Sequence, residues 1–250
     1  MPKGSPTKPP GAAQARVRRG YFECRYGQLH VHAAMPPGGG FEEGAALLCL
    51  HDSQGSARIF SRYLALAGKD RSVYAPDLPG FGESDAPAVR PQIADYASAL
   101  ADFLDSMRVR DLTVLGLRMG SILATELALT RAAQVSRVIM VSVPLLTDSE
   151  RQLARSQGAP AAAAPGDFRP ADWQNWAVEA AAQYPLRARL AKLGQRLLVL
   201  RPRDDLWEAT ERIREVVPAA RLTELERPAL ETFIDAPQRI AESVREFLRA

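Results

Sequence analysis

The chain has 250 residues, 46% of them hydrophobic and 24% charged, with 32 Lys and Arg against 29 Asp and Glu. That length and balance suit one soluble α/β domain with a large core, and no apolar run is long enough to span a membrane. The net charge of +3 is uneven: residues 1–19 carry Lys3, Lys8, Arg16, Arg18 and Arg19 with no acid, so the remaining chain stands at −2.

Those first 19 residues also hold four prolines and two glycines and no apolar run. They read as a disordered basic tail rather than a signal peptide, solvated or in loose contact with an acidic partner, nucleic acid or a membrane surface. Tyr21–Tyr26 and Leu29–Ala34 flank Gly27 and Gln28, which predicts a β-hairpin, and Met35–Gly40 reads as a loop. Short apolar strands then alternate with helical patterns. The strands are expected at Ala45–Leu50, Ser72–Ala75, Leu112–Leu117, Arg137–Val143, Arg196–Leu200 and Ala220–Leu225. The helices are expected near 57–67, 92–107, 119–131, 206–215 and 237–249, the last with Ile240, Val244, Phe247 and Leu248 on one stripe. Alternation of this kind predicts a mostly parallel sheet with helices on both faces.

One stretch breaks the rhythm. Residues 145–193 contain no strand, and 159–166 is an Ala- and Pro-rich linker. Beyond it, Asp172 is placed to cap a helix carrying Trp173 and Trp176 on one face. This segment reads as a short helical lid between two parts of one core, 20–144 and 194–250. The two tryptophans either anchor the lid or form an aromatic wall for a ligand. Cys24 and Cys49 fall in strand-like runs and read as buried thiols of a cytoplasmic protein. The histidines are His30, His32 and His51, with no Cys or His cluster in the second half, so neither a metal nor a cofactor is called for.

Five motifs fall in an order that resembles the α/β-hydrolase superfamily. His51-Asp52-Ser53-Gln54-Gly55-Ser56 is similar to that family's oxyanion loop, and Asp77-Leu-Pro-Gly-Phe-Gly-Glu-Ser84 to its D-x-P-G-x-G-x-S loop. Gly116-Leu117-Arg118-Met119-Gly120 matches the nucleophile-elbow frame G-x-S-x-G, with arginine in the serine's place. Leu197–Asp205 resembles the strand and loop that deliver the triad acid, which puts Asp205 in that role beside Asp204. Leu222–Leu225 and the helix from Pro237 resemble the last strand and helix; counting back seven residues from the proline puts Leu230 where the histidine is expected. The resemblance covers roughly 20–250 and implies an α/β-hydrolase fold.

It also implies a degenerate triad. A guanidinium stays protonated and is no nucleophile, and every histidine lies at or before residue 51, whereas the family order is nucleophile, acid, histidine. The resemblance makes the backbone amides of Ser53 and Met119 the oxyanion donors, with Asp52 where a glycine is usual. His51 then braces its loop and Asp77 holds a turn. Arg118 adds a cation to a helix N-terminus, which calls for an anion. Asp52 and Asp205 are the favoured internal partners, giving a plugged, non-hydrolytic scaffold, a pseudoenzyme. With an external partner instead, Arg118 and the free amides of Ser53 and Met119 would bind a small carboxylate or phosphate. The alternative is a hydrolase or lyase acting on a small ester, thioester or carboxylate, with Ser53, Ser121 or an acid as nucleophile, or with Arg118 polarising a carboxylate or enolate and acid–base help from Asp205, Asp77 or His51. A protein partner fits the scaffold reading, and nothing points to specific nucleic-acid binding.

Overall fold

The computed structural model describes residues 15–36, 45–53, 55–157 and 173–249. Residues 1–14 of the expected tail, 37–40 of the expected loop and the 159–166 linker lie outside them. The strands are β1 (Val17–Cys24), β2 (Gly27–Ala34), β3 (Ala46–Leu50), β4 (Val73–Pro76), β5 (Leu112–Leu117), β6 (Val135–Val141), β7 (Arg196–Pro202) and β8 (Arg221–Leu225). The helices are α1 (Ser61–Ala67), preceded by a 3-10 turn at Ala57–Phe60, α2 (Ile93–Ser106), α3 (Met119–Thr130), α4 (Asp148–Gln157), α5 (Trp173–Gln183), α6 (Leu186–Leu190), α7 (Trp207–Glu211), α8 (Ile213–Val216), α9 (Ala229–Asp235) and α10 (Pro237–Arg249).

All eight strands form one sheet in the order β1-β2-β4-β3-β5-β6-β7-β8. The opening hairpin is antiparallel, β2 meets β4 antiparallel, and every later pairing is parallel. Side chains alternate along each central strand, so every strand feeds two cores. Leu48, Val114, Met140 and Val199 join α2 and α3 in one cluster. Leu47, Leu115, Ile139 and Leu198 join α1, α9 and α10 in the other. The chain runs from β3 to β4 on one side and returns to β5 on the other. Ligands of open α/β sheets bind outside the carboxyl ends of strands where the order reverses in this way. Here that place is the ends of β3 and β5, paired through Leu50 and Gly116.

Several expected boundaries move. β1 begins at Val17, so residues 17–19 belong to the edge strand and not to the tail, with Arg18 and Arg19 exposed along it. β6 runs from 135 to 141 rather than 137 to 143, because Ser142 turns out of the strand at φ 53°. The expected helix at 206–215 is two, divided at Arg212. Helix α9 was not anticipated; it starts behind Pro228 and is held by Phe233, whose ring meets Phe60 and Tyr63 edge-on at 5.0 and 5.7 Å. The stretch between β6 and β7 holds α4, α5 and α6, with α5 against α2 and α4, and α6 against α3. Among the described residues, no helix is long and apolar enough to cross a membrane.

Both cysteines are free, but only Cys49 is fully buried, while Cys24 is half-buried. Burial pushes both thiols up from their ordinary range, which suppresses the reactive thiolate. In the native protein an aromatic disulfide reagent is therefore expected to titrate Cys24 slowly and Cys49 not at all, with both thiols reacting promptly in guanidinium. Rapid native labelling of Cys49 would contradict the packing described here.

Candidate functional site

The turn after β5 is too tight for side chains at two of its positions. A Cβ on Gly116 would stand 2.1 Å from the Gly120 carbonyl oxygen, and one on Gly120 would stand 2.1 Å from that of Leu50. Between them Arg118 adopts φ 52° and ψ −111°, a conformation that costs a non-glycine residue about 1–3 kcal/mol. Its amide donates to the Val141 carbonyl and its carbonyl accepts from the Ser121 amide, each at 2.9 Å. Helix α3 starts at the next residue. The elbow geometry is complete, and the residue at its apex is an arginine.

Two loops close over this elbow. After β3, the His51 imidazole is fully buried and spans its own loop: Nδ1 lies 2.7 Å from the Asp52 carbonyl, and Nε2 accepts from the Leu78 amide at 2.9 Å. With Nε2 accepting, the proton sits on Nδ1, and burial lowers the ring's pKa. It is therefore a neutral brace with no nitrogen left for proton transfer. Asp77 is equally committed. Its carboxylate accepts from the Ala57 amide at 2.6 Å and the Glu83 amide at 3.0 Å, and meets His30 Nδ1 at 2.9 Å. Gly82, at φ 54°, leaves room for that carboxylate. Ser121 is buried and donates to the Gly116 carbonyl at 2.8 Å. None of these three is placed as a substitute acid, base or nucleophile.

Arg118 meets both of its favoured partners. Its Nη1 and Nη2 donate to the two carboxylate oxygens of Asp205, each at 2.7 Å. Its Nε lies 3.1 Å from Asp52 Oδ2. The other oxygen, Asp52 Oδ1, accepts from the Ser53 amide at 2.8 Å and the Met119 amide at 3.3 Å. This corrects one expectation: those amides are not free for an external anion. The carboxylate on the adjacent residue fills the position, because it is the nearest anion to a helix N-terminus and a guanidinium. Burial opposes the charge on Arg118, but the hydrogen bonds to Asp205 and the fields of Asp52, Asp205 and Asp204 outweigh it and raise its pKa. The same hydrogen bonds hold the Asp205 carboxyl below its usual range. Asp204 turns the other way, to the Ser142 hydroxyl at 2.6 Å and the Leu206 amide at 3.0 Å.

A cleft of about 440 Å³ lies over this cluster. Asp52, Ser53, Arg118, Met119 and Asp205 line its floor, and Leu146, Val178, Ala181 and Leu186 line its walls from the lid segment. Trp173 opens α5. Trp176 packs against the hydrophobic core and is not among the residues lining the cleft, so it anchors rather than walls it. Leu230, at the expected histidine position, sits in the first turn of α9 with 51% of its surface exposed, and it too is absent from the lining. The sequence reading missed the group that pins the lid. Glu126, only 6% exposed, accepts from the Tyr184 hydroxyl at 2.7 Å and pairs with Arg189 at 2.6 Å. A lone glutamate in the apolar run of α3 was the available signal, since a buried carboxylate needs a partner.

A family model described as alpha/beta hydrolase fold matches residues 46–217. An uncharacterised protein of Mycobacterium tuberculosis is 30% identical over 99 residues, which is 40% of this chain and 29% of that protein. The matching segment thus spans less than a third of that relative. Among solved structures, a hydrolase from Pseudomonas aeruginosa superimposes with a TM-score of 0.75 at 18% identity, covering 93% of this chain and 98% of that one. A thermophilic esterase from Thermogutta terrifontis gives 0.74 at 17% identity with the same coverage. At such identities the likeness is one of fold.

Two measurements test the cluster. Arg118→Ala leaves Asp52 without its cation in a half-buried position and is expected to lose about 1–3 kcal/mol of stability in urea unfolding. Arg118→Gly deletes the same charge but relaxes the backbone, so it is expected to be about 1 kcal/mol more stable than the alanine variant; equal stability would mean the elbow carries no strain. Asp205 has a depressed carboxyl, so its contribution is present above the unfolded pKa of about 4 and is lost as pH falls through the lower folded value. Because that side chain is 68% exposed, the gap between wild type and Asp205→Asn is expected to be at most about 1 kcal/mol at neutral pH. It should shrink with salt and close in acid.

Proposed function

Because the chain belongs to the alpha/beta hydrolase fold family, we propose that it is a non-hydrolytic member, a pseudoenzyme that keeps the fold as a binding or scaffolding platform. The observation that carries this reading is the Asp52 carboxylate, which sits between the Ser53 and Met119 amides. In a working elbow those donors face the developing oxyanion, and losing one costs roughly 10²–10³ in rate. A fixed negative charge in their place repels the same oxyanion. Arg118 supplies no nucleophile, and no histidine follows residue 51 to act as base. Losing any triad member leaves only about 10³–10⁴-fold over water, and that remainder comes from the oxyanion hole and binding.

The reading as an enzyme with altered chemistry finds less support. His51, Asp77 and Ser121 are each held by structural hydrogen bonds, so an acid–base role would first have to dismantle a loop. Two free cysteines suit action in the reducing cytoplasm.

The test is a substitution ladder assayed with a p-nitrophenyl ester. Wild type is expected to show no turnover above the uncatalysed rate. Arg118→Ser with Leu230→His returns the two missing residue types but leaves the carboxylate among the oxyanion donors and puts the imidazole outside the cleft lining, so it is expected to stay nearly inactive. Adding Asp52→Gly is expected to raise esterase activity about 10²-fold over that double variant. Saturable ester hydrolysis by wild type, abolished by Arg118→Ala, would refute the proposal.

A further inference from the structure

We infer that the cleft over Arg118 binds an amphipathic ammonium, a cation carrying an apolar body, and discriminates against the small anion that an arginine alone would attract. This rests on the non-hydrolytic reading, in which the ligand is held and not turned over. Among the described residues, four carboxylates and two guanidinium groups line the cleft. Glu150 is neutralised by Arg212, which grips both its oxygens at 2.6 and 2.8 Å, and Arg151 pairs with Asp148. What remains is Arg118 between Asp52 and Asp205, one carboxylate in excess, with Glu208 as a second.

The arginine is thus already engaged: each Nη gives one N–H to Asp205, and Nε lies 3.1 Å from Asp52 Oδ2. An incoming anion would have to settle against a guanidinium flanked by Asp52 and Asp205, with Glu208 in the same cleft, against like charge. A cation meets the reverse situation. The Asp205 side chain remains 68% exposed, and each of its oxygens has a further lone pair after bonding Arg118. Glu208 stands three residues along, in the first turn of α7, lining the same cleft. The same cleft is also lined by apolar side chains, including Ile122, Leu145, Leu146, Val178 and Leu186. A volume of about 440 Å³ lies within the ordinary range of small-molecule sites. Apolar walls over a carboxylate pair complement a ligand with a hydrocarbon body and one positive head.

Calorimetric titration of the full chain at pH 7 and low salt, with octylammonium, octanol and octanoate, separates head-group charge from chain burial. Octylammonium is expected to bind saturably, octanol more weakly, and octanoate at least about tenfold more weakly than the ammonium. Glu208→Gln is expected to weaken the ammonium about two- to fivefold, as loss of an exposed charge pair does, and to leave octanol unchanged. Octanoate binding as tightly as octylammonium, no saturable ammonium binding, or an unaltered Glu208→Gln variant would each overturn the inference. A parallel assay with p-nitrophenyl octanoate keeps the two proposals apart. Turnover there would sink the non-hydrolytic reading while leaving the order of the three affinities to decide the ligand's charge.

Discussion

The top of the sheet depends on where one negative charge sits. Helix α3 begins directly behind the elbow, and its first turn presents unsatisfied amides with about half a positive charge. Arg118 adds a full positive charge to the same place. Left alone, cation beside cation would destabilise the elbow. The Asp52 carboxylate answers both at once, taking two amides on one oxygen and the guanidinium on the other. Because Asp52 belongs to the β3 loop and Met119 to α3, the interaction joins the two strand ends that flank the reversal in strand order.

That contact is possible because the surrounding frame makes no reference to the atom at the elbow's apex. Gly116 and Gly120 are required by carbonyl oxygens 2.1 Å from where a Cβ would be, a steric demand that holds for serine and arginine alike. His51 and Asp77 satisfy backbone amides in the loops around the site. These motif residues organise the fold and carry out no bond-making step of their own. A chain can therefore keep all of them and lose hydrolysis, which is why matching motifs and a TM-score near 0.75 speak to architecture and leave activity open.

Much of this was legible in the sequence because the signals are local. Short, nearly continuous apolar runs placed β3, β5 and β7 to within two residues, and the glycine spacing located the elbow. The ion partners of Arg118 followed from charge and from loops that a resemblance brings together. What escaped reading was set by distance and direction. Nothing in Asp52 alone says that its carboxylate folds back onto the following amide, so Ser53 and Met119 were expected to be free donors. Helix α9 is seven residues long and owes its stability to Phe233 against Phe60 and Tyr63, contacts more than 160 residues apart in the chain. Helical spacing left Trp176 as either a lid anchor or a ligand wall, because which side of α5 faces the cleft depends on how α5 rests on α2 and α4.

The arginine and the two acids also constrain one another. Asp52 follows β3, Arg118 follows β5 and Asp205 follows β7, so the guanidinium ties together the loops that follow three strands. With a neutral side chain at residue 118, two carboxylates would face each other across the elbow, and like charges in a half-buried site do not ionise together without cost. The cation offsets that repulsion and lets the acid loop and the β3 loop close over the same point. It does so without cancelling them, since two negative charges meet one positive. The residue that removes the nucleophile therefore also acts as the clasp of the site, and the charge it leaves unbalanced is the one the cleft presents to whatever enters.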